Sequence, residues 1–387
     1  MKHIFAFFIP ASLLAGALQA QGTWTPKTSL TGAARWGAAS FSVGGKGYVG
    51  TGLDASFNYK NDFWEYDPVG DTWTQKANFA GSARQLAVGF AVGNKGYMGL
   101  GYDGNDLQDI YEYDPIGNTW TAKASLTGLG RNSTVAFSIG TKGYVGTGSN
   151  GSNYLDDFWE FDPIANTWTQ KTNVGGGLRS GATGFSIGTK GYIGTGTGID
   201  FWEYDPSGNT WTQKANVGSA TRYGDIGFSI GTKGYLGLGY STTWLNDLYE
   251  YDPTGNTWTA MANFPGTARQ NAIAFSTATK GYVGTGLDAN TTKKDLYEFD
   301  PGTQTGVKEN SSSLHVSVFP NPVKNVAKVM CPGSDCEFTL FDVNGKKVYS
   351  TIFSNEFTFD RNSLDAGIYF YSVKQGEKAK SGKLVIQ

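Results

Sequence analysis

Six arginines recur along this 387-residue chain, at Arg35, Arg84, Arg131, Arg179, Arg222 and Arg269, in steps of 49, 47, 48, 43 and 47 residues. Each is followed by an aspartate (Asp62, Asp109, Asp157, Asp200, Asp247, Asp295) and then by a glutamate (Glu65, Glu112, Glu160, Glu203, Glu250, Glu298). Two kinds of chemistry fit such a set. A ring of guanidinium groups would capture a carboxylate or phosphate, for which Arg offers a planar bidentate fork. Alternatively, each Arg is engaged by an acid of its own copy. Ligand sites are local whereas scaffolds are periodic, so repetition of both partners favours pairing, and the glutamates read the same way. The six arginines are expected to face the centre of whatever the copies build.

Acid–base chemistry would fall to residues that break the pattern. Asp225 is the one acid in its position among the copies, and it stands beside Arg222 and Tyr223. Carboxylate, phenol and guanidinium are then the available groups. The only histidines are His3 and His315, and the only cysteines are Cys331 and Cys336. The repeated region therefore offers neither imidazole nor thiolate. That argues against a copper or zinc centre, and against Ser–His or Cys–His nucleophilic catalysis. No cofactor is expected.

Behind these residues lies a repeating unit of about 47 residues, a period that implies modules stacked on their neighbours. Each copy has Phe six residues after the Arg, then Lys-Gly-Tyr and Gly-x-Gly, then an aromatic-Glu-aromatic-Asp-Pro block. All but the last end in Thr-Trp-Thr. In the third copy the spacing predicts strands over Val135–Ile139, Lys142–Gly146, Asp157–Phe161 and Thr167–Thr169. A tight Gly-Thr-Lys-Gly turn joins the first two, and Asp162-Pro163 begins the turn into the fourth. Nothing in the region has helical periodicity with caps. Four antiparallel strands per unit at this period are expected of β-propeller blades.

With its Arg, Gly-rich hairpin ends, Tyr-Asp-Pro and later Trp, the unit resembles the kelch repeat over residues 23–301. One departure is Gly-x-Gly where the family has a double Gly. The sixth copy ends Phe299-Asp300-Pro301 without a Trp, while Gly22-Thr23-Trp24-Thr25 precedes the first Arg. The expected fold is therefore all-β: a six-bladed kelch-type β-propeller closed by its N-terminal strand, followed by a small β-sandwich domain. At fold level the chain also resembles the six-bladed kelch sialate mutarotases.

The repeated Trp and Tyr residues are expected to fill the space between blades. Differences between copies concentrate in the connections from the fourth strand into the next first strand, and from the second strand into the third. These should share one face. Loops on a rigid scaffold are where binding usually resides. The candidate binding residues are Trp36, Phe57, Tyr59, Tyr223, Asp225 and Trp244, with Arg131 and Arg222 from the arginine set. The favoured reading is a binding protein engaging glycan or protein through this face. The alternative is a sugar epimerase or mutarotase using Asp225, Arg222 and Tyr223.

The flanks bear on localisation. Residues 1–20 read as a secretory signal peptide, and no other stretch is apolar enough to span a bilayer. A polar linker is expected over 302–315. Residues 316–387 contain Phe319-Pro320-Asn321-Pro322, Asp342-Val343-Asn344-Gly345-Lys346, Leu364-Asp365-Ala366-Gly367-Ile368-Tyr369 and a terminal Lys383-Leu384-Val385. These resemble the C-terminal sorting domain of the type IX secretion system of Bacteroidetes, which implies that the secretion machinery is a partner. Asn344-Gly345 signals a hairpin turn. In an exported chain Cys331 and Cys336, flanking a plausible turn, favour a local disulfide over two free thiols. A net charge of −2 provides no basic field for nucleic acid or anionic lipid.

Overall fold

The computed structural model describes residues 21–302 except 152 and 219, residue 314, and residues 316–387 except 343–345, 362–363 and 377. The expected signal peptide, nearly all of the linker, and the Asn344-Gly345 turn lie outside the described residues. The chain divides into two compact units, Met1–Gly302 and Thr303–Gln387. All regular elements among the described residues are β-strands, so no helix is long and apolar enough to cross a membrane.

In the first unit the described residues form six four-stranded antiparallel sheets of the kind that make propeller blades. The third repeat supplies Val135–Ile139, Lys142–Gly146, Phe158–Asp162 and Thr167–Lys171, paired in chain order. One sheet departs from this pattern. Ile273–Ser276, Gly281–Gly284 and Leu296–Asp300 receive their fourth strand from the other end of the chain, where Thr23–Lys27 pairs with Leu296–Asp300. The first strands of successive repeats touch one another, and that of the sixth returns to that of the first, so the arrangement is propeller-like.

Packing between sheets explains two motif residues at once. A Cβ on Gly143 would lie 2.2 Å from the ring of Phe90 in the preceding sheet, and one on Gly96 would lie 2.1 Å from Phe41. The Gly of Lys-Gly-Tyr is therefore the socket for the Phe that follows each Arg. The fourth-strand tryptophans add a stitch: Trp168 Nε1 donates to the Ala124 carbonyl of the preceding repeat at 2.8 Å, and Trp24 does the same to Ala262.

The arginines pair with the repeated aspartates in all six sheets. Arg131, wholly buried, donates from Nη1 and Nη2 to the two Asp157 oxygens at 2.6 and 2.7 Å, and from Nη1 to the Thr147 carbonyl at 3.2 Å. Burial works against ionisation of Asp157, but the Arg131 and Trp159 hydrogen bonds outweigh it and hold the carboxyl below its usual range. The glutamates have a different partner, each accepting from a second-strand tyrosine, as Glu160 does from Tyr144 at 2.7 Å.

In the second unit Ser317–Phe319, Val326–Phe341, Lys347–Asp360, Gly367–Gln375 and Lys378–Ile386 join in one five-stranded sheet. The 16-residue strand Val326–Phe341 pairs with three partners along its length, and its register breaks between Cys331 and Cys336. The ladder folds over there, bringing Phe338 and Phe359 to ring centroids 5.9 Å apart although they pair at opposite ends of that strand, so two layers face each other as expected of a small sandwich. Its core includes Val329, Phe338, Val373 and Leu384. Cys331 and Cys336 form a disulfide.

If the arginines hold the scaffold, Arg131→Ala strands a half-buried carboxylate. Chemical denaturation should then show a loss of about 1–3 kcal/mol. Unchanged stability accompanied by lost ligand binding would instead make the arginines a site.

Candidate functional site

The residue two after each Arg has a left-handed backbone: Gly37, Leu86, Ser133, Gly181, Gly224 and Asn271 have φ of 61°, 55°, 51°, 63°, 64° and 50°. This turn lets adjacent repeats bond head to tail. Gly181 N–H donates to Ser133 O at 3.0 Å, Gly224 to Gly181 at 2.9 Å, Asn271 to Gly224 at 2.6 Å, Gly37 to Asn271 at 3.0 Å and Leu86 to Gly37 at 2.7 Å. The six residues converge on a cavity of about 140 Å³ at the mouth of a central channel. Deeper along the first strands lies a cavity of about 160 Å³, and one of about 330 Å³ occupies their far ends.

The arginines do not line these cavities. The expectation that they face the centre is corrected: their side chains turn into their own sheets, where an aspartate and a carbonyl satisfy the guanidinium. Arg131 and Arg222 share this placement, with Arg222 on Asp247 at 2.7 and 2.8 Å. Arg222 differs in one respect, for its buried Nε has no partner among the described residues.

Asp225 does reach the channel. It immediately precedes the strand Ile226–Ile230 rather than lying within it, and it lines both the mouth and the middle cavity. Repeats one to four and six place Ala38, Ala87, Thr134, Ala182 and Ala272 at the corresponding point. Thr195 Oγ1 stands 2.9 and 3.1 Å from the two carboxyl oxygens. That hydroxyl also donates to the Gly194 carbonyl. Thr195 is the donor to the Asp225 carboxyl. Burial pushes the carboxyl up to about 8 despite the opposing pull of the Arg222 charge and the Thr195 hydrogen bond, with Asp247 adding to the rise.

A second feature opens above the mouth, over repeat four. In the other five repeats the residue after the Arg bridges the residue after Gly-x-Gly: Trp36 with Leu53, Gln85 with Tyr102, Asn132 with Ser149, Tyr223 with Tyr240, and Gln270 with Leu287. Repeat four has only Thr197-Gly198-Ile199 before Asp200, and among the described residues Ser180 makes no such bridge. The gap is a cleft of about 250 Å³ whose lining includes Tyr154, Ser180, Thr197, Tyr223 and Asn271. Tyr154 and Tyr223 are 49% and 47% exposed.

The five candidate aromatics fall into separate ring contacts. Tyr223 lies against Tyr240 (ring centroids 5.6 Å apart), and Tyr240 against Trp244 at 5.3 Å, so Trp244 stands behind Tyr223 and does not line the cleft. Tyr59 pairs with Tyr102 at 6.4 Å on the first two repeats. Phe57 is 80% exposed at φ 62°, on a loop tied by Asp54, which accepts from the Ser56 and Asn58 amides at 2.9 Å and pairs with Lys60. Trp36 is half-buried in its bridge to Leu53. Among the described residues no ring contact joins the aromatics of repeat one to those of repeat five, with repeat six between them. Sequence reasoning missed Tyr154 and Asn271, and it noted Ser180 and the short Thr197-Gly198-Ile199 connection only among the positions that vary between copies. The available signal was the 43-residue step, the shortest of the set.

Residues 317–387 match the secretion system C-terminal sorting domain family. This is a type IX export address. The protein is exported through that system, to the cell surface or the medium, and the secretion machinery is a partner of the tail. The first unit is similar in fold to the solved structure of YjhT, with a TM-score of 0.60 and 17% sequence identity, over 70% of this chain and 95% of that one. At that identity the likeness concerns the fold alone. No curated protein matches the chain in sequence.

Burial in the fold raises the Asp225 carboxyl from its ordinary value of 3.8 to about 8. Between these values the folded chain binds more protons, so this group lowers stability progressively as pH rises through the window and no further above it. Asp225→Asn should therefore melt higher than wild type at pH 8, with the difference vanishing below about pH 4. Parallel melting curves for both proteins across pH are the check, and a difference independent of pH would remove the buried-acid assignment.

Proposed function

We propose that the mature protein is an exported, six-bladed kelch-type propeller that binds glycan or protein through the face bearing the variable connections. On this reading residues 1–20 are a cleaved signal peptide, 21–301 the propeller, 302–315 a linker and 316–387 the sorting domain. The observation that carries it is the pair of half-exposed tyrosines, Tyr154 and Tyr223, that line an open cleft beside the channel mouth. Aromatic side chains held at a concave polar surface are the usual anchors of ligand sites. Phe57 and Tyr59 add a second aromatic patch on the same class of connection, and Trp244 supports Tyr223 from behind.

One observation favours a second reading, a sugar mutarotase or epimerase. A carboxyl carrying a proton near neutral pH inside a channel is suited to general acid–base work. Asp225 would be the acid–base group, with Tyr223 and Arg222 beside it.

A glycan array run beside a mutarotation assay on the same purified protein separates the two. For a binding protein, Tyr223→Ala abolishes retention of the array hit with little change in melting temperature, and Asp225→Asn leaves it intact. Accelerated mutarotation lost in Asp225→Asn would establish the enzyme instead.

Export gives a further expected outcome. Deletion of residues 316–387 should leave a folded first unit in the periplasm of a host with type IX secretion. Fractionation that finds the truncated protein at the surface in normal amount would refute the tail as the sole export address.

A further inference from the structure

We infer that the cleft over repeat four is a site for one ring of a neutral saccharide, held between Tyr154 and Tyr223 with Ser180 and Thr197 as its floor. The inference rests on the binding reading above and narrows it to a place and a ligand class.

Four observations converge. The cleft exists because the connection of repeat four lacks the residues that elsewhere bridge back to the residue after the Arg. Its absence exposes the backbone and hydroxyls of Ser180 and Thr197, which the longer connections of the other repeats would cover. Two exposed aromatics line it, and one is fixed: Tyr223 exchanges two 3.0 Å backbone hydrogen bonds with Tyr240, whose ring in turn rests on Trp244. Below it, Gly181 brings the chain so close that a Cβ there would lie 3.2 Å from Tyr223 Cβ. A rigid aromatic face suits the C–H face of a pyranose, while hydroxyls and amides suit its rim.

The charge of the lining fixes the class. No Lys, Arg, His, Asp or Glu lines the cleft. The nearest guanidiniums, Arg179 and Arg222, are buried on Asp200 and Asp247. An anionic sugar would find no cationic partner there, and desolvating its carboxylate without one is costly. Neutral polar groups remain. The Thr197 hydroxyl donates to the Leu178 carbonyl at 2.9 Å and is left as an acceptor, whereas among the described residues the Ser180 hydroxyl, the Asn271 side-chain amide and the Tyr154 and Tyr223 hydroxyls make no hydrogen bond within the protein and can bond sugar hydroxyls. The volume, about 250 Å³, falls below the roughly 300–1,000 Å³ of sites for drug-sized ligands and suits a single ring.

The test uses the exported full-length protein with cello-, xylo- and manno-oligosaccharides as neutral ligands, and with polygalacturonate and polysialic acid as anionic ones. Expected is binding of at least one neutral series, insensitive to salt between low and physiological ionic strength, since no ion pair is involved. Tyr154→Ala and Tyr223→Ala should each weaken it roughly tenfold. Replacing Thr197-Gly198-Ile199 with the longer segment 240–246 of repeat five should abolish it. If that graft fails to fold, the two single substitutions still decide. Binding confined to the anionic polymers or to a protein ligand overturns the neutral-sugar inference while leaving the broader binding reading intact. Neutral binding that survives both tyrosine substitutions but is lost in Phe57→Ala overturns the location alone. Absence of any ligand on the face overturns both.

Discussion

A guanidinium cannot be buried without partners, and each of the six arginines finds them on both sides of a sheet junction. The side chain bonds within its own repeat, to the aspartate before the third strand and to the carbonyl of the middle residue of Gly-x-Gly. The backbone bonds to the repeat before: Gly101 N–H donates to Arg131 O at 2.8 Å, and Arg131 N–H to Leu107 O at 3.0 Å. One residue thus fixes the first strand in its sheet and that sheet against its neighbour. The middle residue of Gly-x-Gly, at φ 62° for Thr147, presents its carbonyl to Nη1, and the Gly after it, at φ 96°, presents its N–H to the next Arg. The spacing that departs from a double Gly therefore carries two bonds of the junction.

From this junction the geometry of the face follows. The left-handed residue two after the Arg turns the chain into the channel, and the head-to-tail amide bonds at that level make the mouth a backbone structure. Side chains directly beneath it can then be small, and five repeats place Ala or Thr there. Side chains above it belong to connections free to differ. The scaffold separates what must repeat from what may vary, with the mouth as the boundary.

Much of this was legible in the sequence. The four strands of the repeat, the Thr23–Lys27 strand pairing with Leu296–Asp300, and the pairing of each Arg with its aspartate all appear where periodicity put them. The direction of the arginines was not legible, because a motif gives partners in sequence but not which side of a strand a long side chain takes. The five aromatics were grouped on one surface because all sit in variable connections; three belong to repeat one and two to repeat five, and no ring contact joins the two groups. Tyr154 escaped notice because exposure depends on the neighbouring loop being short, a property of two repeats together.

The departures from periodicity are informative through where they gather. Asp225 and Tyr223 belong to repeat five, while Thr195, Ser180, Thr197 and the shortened connection belong to repeat four. Among the described residues Arg222 is the repeated arginine whose buried Nε lacks a partner, and it lies at the same junction. In repeat three the residue matching Thr195 is Thr147, and its buried Oγ1 has no partner among the described residues, since repeat four offers Ala182 where repeat five offers Asp225. An acid at this point burdens the folded state, because its ionised form is disfavoured by burial. Drift in a sixfold scaffold would scatter such changes among the junctions. Here a destabilising acid, an omitted bridge and an exposed aromatic meet at one of six, and stability sacrificed locally within an otherwise regular array is what a functional site requires.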